Sequence, residues 1–304
     1  MGKRATDEWA ARHGAEVRRD VGAEVLTTFR GGGRAERVYL PRSAEDAAEL
    51  IGLCRAEGEE PYVLGGGSKT IVADGEVMCP VISTDLMRAV EVVGMSDEGV
   101  TVRAECGARL SDVARRAADC GCGGLEFLAG VPASVGGAVH MNAGAFGQQT
   151  ADHVVEIEVL NPVSGEIERK SRAQTDFGYR RGAEGFVCAV TFFFPVMSGE
   201  ERAIRRERFL AWRRSRQPRL PSCGSVFKRG SAPAGALIED AGLKGVRLGG
   251  AEISRVHAGF IVNAGGASAA DFFALAELAA RRVEELFGER LQKEFEILAD
   301  DLPF

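Results

Sequence analysis

At 304 residues the chain exceeds a single ordinary core and predicts two or three domains, each large enough to bury an interior. A net charge of −6 with no basic arm or stripe excludes a nucleic-acid binder, and no apolar run reaches the length that spans a bilayer. Seven scattered cysteines, with only Cys120 and Cys122 close together, give no zinc spacing; they read as reduced, mostly buried thiols, and no metal site is expected.

The start Met1-Gly2-Lys3-Arg4 runs into Thr6, Asp7 and Glu8 rather than an apolar segment, so the expected location is the cytoplasm, without membrane insertion. Residues 1–20 are charged and alanine-rich and read as a helical extension, with the globular part starting near Val21. Ser43-Ala44-Glu45-Asp46 opens a helix with an acidic first turn; Leu50, Leu53 and Cys54 are its apolar positions and Gly58 stops it. A short strand at 61–64 leads into Gly65-Gly66-Gly67-Ser68-Lys69-Thr70 and a second strand at 71–74. Lys-Thr after glycine suggests a nucleotide hydrolase, but a Walker loop needs glycine where Ser68 and Val63 stand. A dinucleotide turn would open a helix, not a strand. What remains is a strand-loop-strand whose bare backbone approaches a pyrophosphate and turns N–H groups toward it, or else a plain tight turn.

Strands at Val81-Ile82 and 100–104 and a helix from Ser111 to about Cys120 continue the β-α-β rhythm. The next loop holds Gly130-Val131-Pro132-Ala133-Ser134-Val135-Gly136-Gly137 and then Asn142-Ala143-Gly144-Ala145. Glycine loses much entropy on ordering, so this density fits a backbone that wraps a planar ligand, with tight strand packing as the alternative. From Val154 the period becomes two: Val155, Ile157 and Val159 alternate with acids, Asn161-Pro162-Val163-Ser164-Gly165 turns, and Ile167 resumes a strand, making a hairpin. Residues 186–194 form a nearly continuous apolar strand. A charged helix at 200–214, with Ile204, Phe209 and Trp212 as its buried contacts, ends at Pro218-Arg219-Leu220-Pro221; the main boundary is drawn between Pro195 and Glu200. Ser268-Ala269-Ala270-Asp271 caps a helix through Phe272, Leu275, Ala279, Val283 and Leu286 to Gly288, and a last strand covers 291–298.

Thr28-Phe29-Arg30, the Gly65 loop, residues 126–147, Phe177-Gly178-Tyr179-Arg180, Gly224-Ser225-Val226-Phe227-Lys228, Leu237-Ile238-Glu239-Asp240-Ala241-Gly242 and His257-Ala258-Gly259-Phe260-Ile261-Val262-Asn263 occur in one order. Together they resemble the UDP-N-acetylenolpyruvoylglucosamine reductases, the MurB flavoenzymes of peptidoglycan precursor synthesis. The short gap after Arg180 resembles the branch without the long tyrosine-bearing loop. The resemblance implies an α+β fold: a two-subdomain FAD-binding module of the PCMH/vanillyl-alcohol-oxidase kind at 21–198 (subdomains about 21–80 and 81–198), then an α+β substrate-binding domain at 199–304. The sequence departs from the family pattern at Gly31-Gly32-Gly33-Arg34, where an aliphatic residue, two glycines and proline are usual. It departs again at Lys69, Arg229 and Gly259, where asparagine is usual.

The implied reaction adds hydride from reduced FAD to the outer carbon of an enolpyruvyl ether and a proton to the inner carbon. Its implied catalytic residues are Arg180, Ser225 and Glu294. Arg180 holds the substrate carboxylate in its guanidinium fork, Glu294 shares that work, more readily when protonated, and Ser225 donates the proton. Gly65, Gly66, Gly67, Ser68, Lys69, Pro132, Ser134, Gly136, Gly137, Asn142, Ala143 and Gly144 are the expected contacts to non-covalent FAD. Tyr179, Arg213, Arg216, Lys228 and His257 are the expected contacts to substrate, with Arg214 and Arg219 adding to local positive charge. NADPH and UDP-N-acetylglucosamine enolpyruvate are the implied partners, and a monomer is expected. Two other readings stay open: an oxidase or dehydrogenase on the same FAD scaffold, and a nucleotide-sugar-binding protein without turnover.

Overall fold

In the computed structural model, which describes residues 4–161 and 164–300, the chain separates into two units built from interleaved segments. Of the described residues, the first takes in those up to Val17, Tyr39–Gly66 and Val81–Arg213; the second takes in Arg18–Val38, Gly67–Pro80 and those from Arg214 on. The boundary expected between Pro195 and Glu200 therefore lies inside the first unit. Pro162 and Val163 of the expected turn, and Met1, Gly2 and Lys3, lie outside the described residues.

The first unit is organised by a five-stranded antiparallel sheet in the order Ile167–Ser171, Val154–Leu160, Phe186–Pro195, Gly99–Glu105, Val90–Met95. The strand Phe186–Pro195 is central, and covered faces explain why it reads as continuously apolar: Phe192 and Phe194 are fully buried, along with Val190. Burying each such large apolar side chain contributes about 1.5–3 kcal/mol. The helix Leu110–Asp119 packs on the two strands at one edge through Val113 and Ala117. The helix Ala44–Ala56 starts at Ser43, whose side chain accepts from Asp46 N, as the capping pattern predicts.

The amino-terminal segment is more than an extension. Its helix covers Ala5–His13 and ends at Gly14 in the left-handed region, and Glu16–Gly22 is a strand. Trp9 is fully buried in the first unit's core, where the helix packs against Ala44–Ala56.

The second unit contains three strands in parallel register, Glu296–Leu298 beside Thr70–Val77 and Thr70–Val77 beside the Gly32–Ala35 stretch. It also holds a four-stranded antiparallel sheet in the order Ser222–Ser225, Phe260–Asn263, Ala251–Ile253, Arg247–Leu248. The helix Ala269–Phe287 buries Phe272, Leu275, Ala279 and Val283, and Ser268 and Asp271 form the predicted capping box. Asp74 extends the cap, accepting from Ala269 N and Ala270 N at 2.8 Å each.

Three expectations change. Along the helix Gly199–Arg216 only Phe209 is buried, while Ile204 and Trp212 are exposed, because one narrow stripe of that highly charged helix meets the unit. Leu286, in the last turn of its helix, is exposed as well. The last strand is confined to Glu296–Leu298, because residues 292–294 bond across to 226–228 instead. Among the described residues no helix is long and apolar enough to cross a membrane, and no cluster of three His, Cys, Asp or Glu side chains is placed to hold a metal.

Candidate active site

In the first unit the two glycine-rich loops meet. Ser134 caps the short helix Val135–His140, its hydroxyl accepting from Gly137 N, and the same oxygen accepts from Gly66 N, both at 3.3 Å. A Cβ at Gly65 would stand 2.6 Å from that hydroxyl oxygen, and one at Gly66 would sit 3.5 Å from the Pro132 carbonyl. Gly66, Pro132 and Gly137 remain exposed beside buried Ser134, so bare backbone lines the meeting point. Gly136 serves packing: its N–H donates to Cys106 O at 2.8 Å, and a Cβ there would press on the Cys106 side chain at 2.9 Å.

Asn142 is buried and left-handed (φ 41°). Its amide nitrogen donates to Gln149 Oε1 at 2.9 Å and Gly178 O at 3.0 Å, and its oxygen accepts from Ala151 N at 3.1 Å. The side chain therefore braces the loop, with Ala143 carbonyl held by the Thr150 hydroxyl at 2.8 Å. Through Gly178 the bracing reaches the turn that carries Arg180. Gly178 N donates to Arg181 O at 2.8 Å and Arg181 N donates back at 3.2 Å, leaving Tyr179 and Arg180 at the tip. Arg180 stands at φ 54°, a left-handed conformation that costs a non-glycine residue about 1–2 kcal/mol. Its Nη1 donates to Gly144 O at 3.5 Å and its guanidinium lies 5.1 Å from the centre of the Tyr179 ring, which is itself exposed. Such strain persists where the surroundings impose it, and it concentrates at functional sites.

Ser225, Glu294 and Lys69 come together in the second unit. The strand Ser222–Ser225 pairs Ser222 with Val262 and Ser225 with Phe260, so it has one residue too many; the surplus is taken up at Gly224, with φ 76°. This bulge re-aims Ser225 at the end of the strand. Glu294 N donates to Val226 O and Lys228 N to Gln292 O, both at 2.8 Å, which brings residues 292–294 alongside. The Glu294 carboxylate, 3% exposed, is paired with Lys69 Nζ at 2.9 Å, and the same ammonium donates to Ser225 O at 2.6 Å. Lys69 is fixed from its other end by Glu296 N donating to its carbonyl at 2.7 Å. Gly67, next in the loop, is left-handed at φ 60° and accepts from Thr28 N. Ser68 is half-buried between them.

The expected substrate contacts fall in different settings. His257 Nδ1 accepts from Gly259 N at 3.0 Å, which leaves the ring proton on Nε2, and burial holds its pKa below the ordinary histidine value, so the neutral ring is favoured. The usual asparagine at Gly259 has no room here, since a Cβ would lie 2.9 Å from the His257 ring. Arg216 is exposed and Lys228 half-buried. Arg213 is an anchor: Nη2 donates to Phe127 O at 3.0 Å, the guanidinium lies 5.4 Å from the Phe146 ring centre, and burial lowers its pKa from the ordinary arginine value. No sequence pattern marks the Lys69–Glu294 pair or the Phe146 hairpin tip (φ 56°), whose ring packs on Phe209 and Trp212.

Comparison with known proteins finds relatives of the chain as a whole. Residues 35–171 match an FAD binding domain and residues 217–298 match the C-terminal domain of UDP-N-acetylenolpyruvoylglucosamine reductase. The reductase of that name from Listeria monocytogenes serotype 4a (strain HCC23) is 36% identical over 281 residues, covering 90% of this chain and 92% of the relative. The one from Caldicellulosiruptor bescii is 39% identical over 295 residues, covering 94% and 92%. The chain belongs to the UDP-N-acetylenolpyruvoylglucosamine reductase family. Among solved structures, the reductase (MurB) from Thermus caldophilus superposes with a TM-score of 0.77 at 33% identity, covering 93% of this chain and 99% of that one.

As a member of the UDP-N-acetylenolpyruvoylglucosamine reductase family, the protein has the α+β fold expected of it and is an FAD-dependent oxidoreductase of peptidoglycan precursor synthesis. Its own residues fit the cofactor. The surface beside Ser134 is lined by glycine backbone at Gly65, Gly66 and Gly137, and a side chain at Gly65 would close on Ser134. Such a surface suits a pyrophosphate approached by amide groups.

Proposed function

We propose that Arg180, Ser225 and Glu294 carry the reduction of UDP-N-acetylglucosamine enolpyruvate to UDP-N-acetylmuramate. FAD held non-covalently by the glycine backbone of residues 65–67 and the Ser134 loop would, once reduced by NADPH, supply a hydride to the outer carbon of the enolpyruvyl double bond. The protein's residues do the rest. Arg180 takes the substrate carboxylate in its fork while that group gains enolate character, Glu294 shares this task, and the Ser225 hydroxyl gives the inner carbon its proton. The observation that carries the reading is the bulge at Gly224, which sets Ser225 beside the Glu294–Lys69 pair. The strained tip at Arg180 supports it from the first unit.

The glycine backbone of residues 65–67, with Ser68, Pro132, Ser134, Gly136, Gly137 and the 142–144 segment, is assigned to FAD, the side chains of Ser134 and Asn142 acting mainly as braces. Phosphate holding is assigned to Arg216 and Lys228, and Tyr179 and the Nε2–H of His257 to the sugar nucleotide, with Arg213 anchoring its helix. The functional division stays at 21–198 for FAD and 199–304 for substrate. A monomer in the cytoplasm that serves wall growth, cell shape and division completes the proposal.

Separating the half-reactions tests it. Ser225→Ala should let NADPH reduce the flavin at a near-normal rate yet slow reoxidation by substrate about a hundredfold or more, the effect typical of losing a positioned proton donor. Slowed flavin reduction with intact substrate reduction, read by stopped-flow absorbance, would overturn the assignment.

A further inference from the structure

The Glu294 carboxylate is almost wholly removed from solvent, and a buried carboxylate without a cation takes up a proton. Here a cation is built in. Lys69 Nζ lies 2.9 Å from Glu294 Oε1 and donates to the Ser225 carbonyl at 2.6 Å. The lysine backbone is held in turn by Glu296 N. One ammonium is thus tied both to a carboxylate and to the backbone of the residue assigned to proton donation.

We infer that Lys69 is a positioning residue that stores on its ammonium the proton a buried Glu294 would otherwise have to carry. The inference rests on Glu294 acting in substrate reduction. Ammonium plus carboxylate has no net charge, the same as a protonated glutamic acid beside a neutral side chain. Negative charge growing on the substrate therefore meets a neutral pair at every pH where the ion pair persists. No bond forms or breaks within the pair; it supplies field and alignment.

The other titratable groups on the segments around the pair are Cys223, Lys228, Lys293 and Glu296, with Arg30 on the segment bonded to Gly67 and Ser222; farther along the strand Thr70–Val77 stand Glu76 and Asp74, the latter engaged at the helix cap. Cys223 is fully buried, and burial, only partly offset by Lys69, pushes its thiol up to about 11. It stays uncharged through neutral pH and adds no step there.

The test measures anaerobic reoxidation of reduced enzyme by UDP-N-acetylglucosamine enolpyruvate from about pH 6 to about pH 9, with flavin reduction by NADPH as internal control. Wild type and Lys69→Arg should keep a flat profile. Lys69→Met should reoxidise more slowly as pH rises, approaching roughly tenfold per pH unit once Glu294 ionises, because the glutamate must then hold the proton itself. Lys69→Met with Glu294→Gln should be flat again. Infrared difference spectra give a readout independent of turnover: Lys69→Met should gain a protonated-carboxyl band that is missing from wild type and from the double variant. A flat Lys69→Met profile without that band overturns the inference. If instead Glu294→Gln alone leaves reoxidation untouched while the band appears in Lys69→Met, the catalytic assignment of Glu294 fails and the control of its protonation by Lys69 stands.

Discussion

Each unit holds a buried glutamate paired with a cation, and the two pairs differ in backbone setting. In the first unit Glu158 takes both fork nitrogens of Arg103, at 2.8 and 2.6 Å. Those residues belong to Val154–Leu160 and Gly99–Glu105, on either side of the central strand, where Glu158 opposes Ala189 and Arg103 opposes Thr191. Sheet register fixes the meeting, and Ala189 leaves room for the arginine to cross. In the second unit Glu294 and Lys69 lie outside any regular element, held by single backbone bonds beside a bulge. A pair dictated by register fastens a sheet; a pair assembled from irregular segments is not explained by sheet packing, and the role proposed for Ser225 would supply a reason for it.

The sharpest break in this comparison comes from the same substitution at both glutamates. Glu294→Gln should slow substrate reduction by about a hundredfold or more while flavin reduction persists. Glu158→Gln should leave both half-reactions alone and lower unfolding free energy by about 1.5–3 kcal/mol, the range for a charged hydrogen bond. Denaturant titrations beside stopped-flow traces check both; rate loss from Glu158→Gln would erase the distinction. The sign with pH follows. Arg103 holds the Glu158 carboxyl below its ordinary value, so its stabilisation is present above the ordinary glutamate range and disappears as pH falls through the lowered value.

A smaller effect separates the two arginines at the end of Gly199–Arg216. Arg216→Ala should raise the Michaelis constant for the UDP sugar, roughly tenfold, with kcat nearly unchanged, as for binding shared by ground and transition states. Arg213→Ala should instead lower the melting temperature and leave that constant alone. The reverse pattern would return phosphate binding to Arg213. The smallest effect belongs to His257. Its folded pKa is depressed, so its contribution is complete above about pH 6.5, the unfolded value, and is lost as pH falls through the folded one. His257→Gln should therefore lose less stability than wild type between neutral and mildly acidic pH, and equal losses would place the ring in solvent.

The sequence was most legible where the physics is local. The caps at Ser43 and Ser268 and the hairpin from Val154 follow from neighbours a few residues apart, and each is in place. Glycine density announced a backbone-lined site, although it did not distinguish Gly66, which is exposed, from Gly136, which is needed for packing on Cys106. Helical periodicity exposed three apolar positions at Ile204, Phe209 and Trp212 without revealing that only Phe209 faces inward. Lys69 stood out as a departure from asparagine, but its partner comes from a distant segment whose irregular path no strand pattern encodes. The same path hid the burial of Glu294, which an alternating strand would have left on an exposed face.

The interleaving of the units also sets an order of events during synthesis. Glu296–Leu298 lies against Thr70–Val77, and Ser222–Ser225 is bonded to Thr28 through Ser222 N, so early segments of the second unit wait for late ones. The strand Thr70–Val77 leaves the ribosome with one edge open and keeps it open until Leu298 has emerged, whereas every strand of the five-stranded sheet is complete by Pro195. Nascent chains stalled after Pro195 should already hold a protease-resistant first-unit sheet, while Glu294 reaches Lys69 and the Ser225 segment only when the final segment has emerged, so that grouping is completed in a single late step.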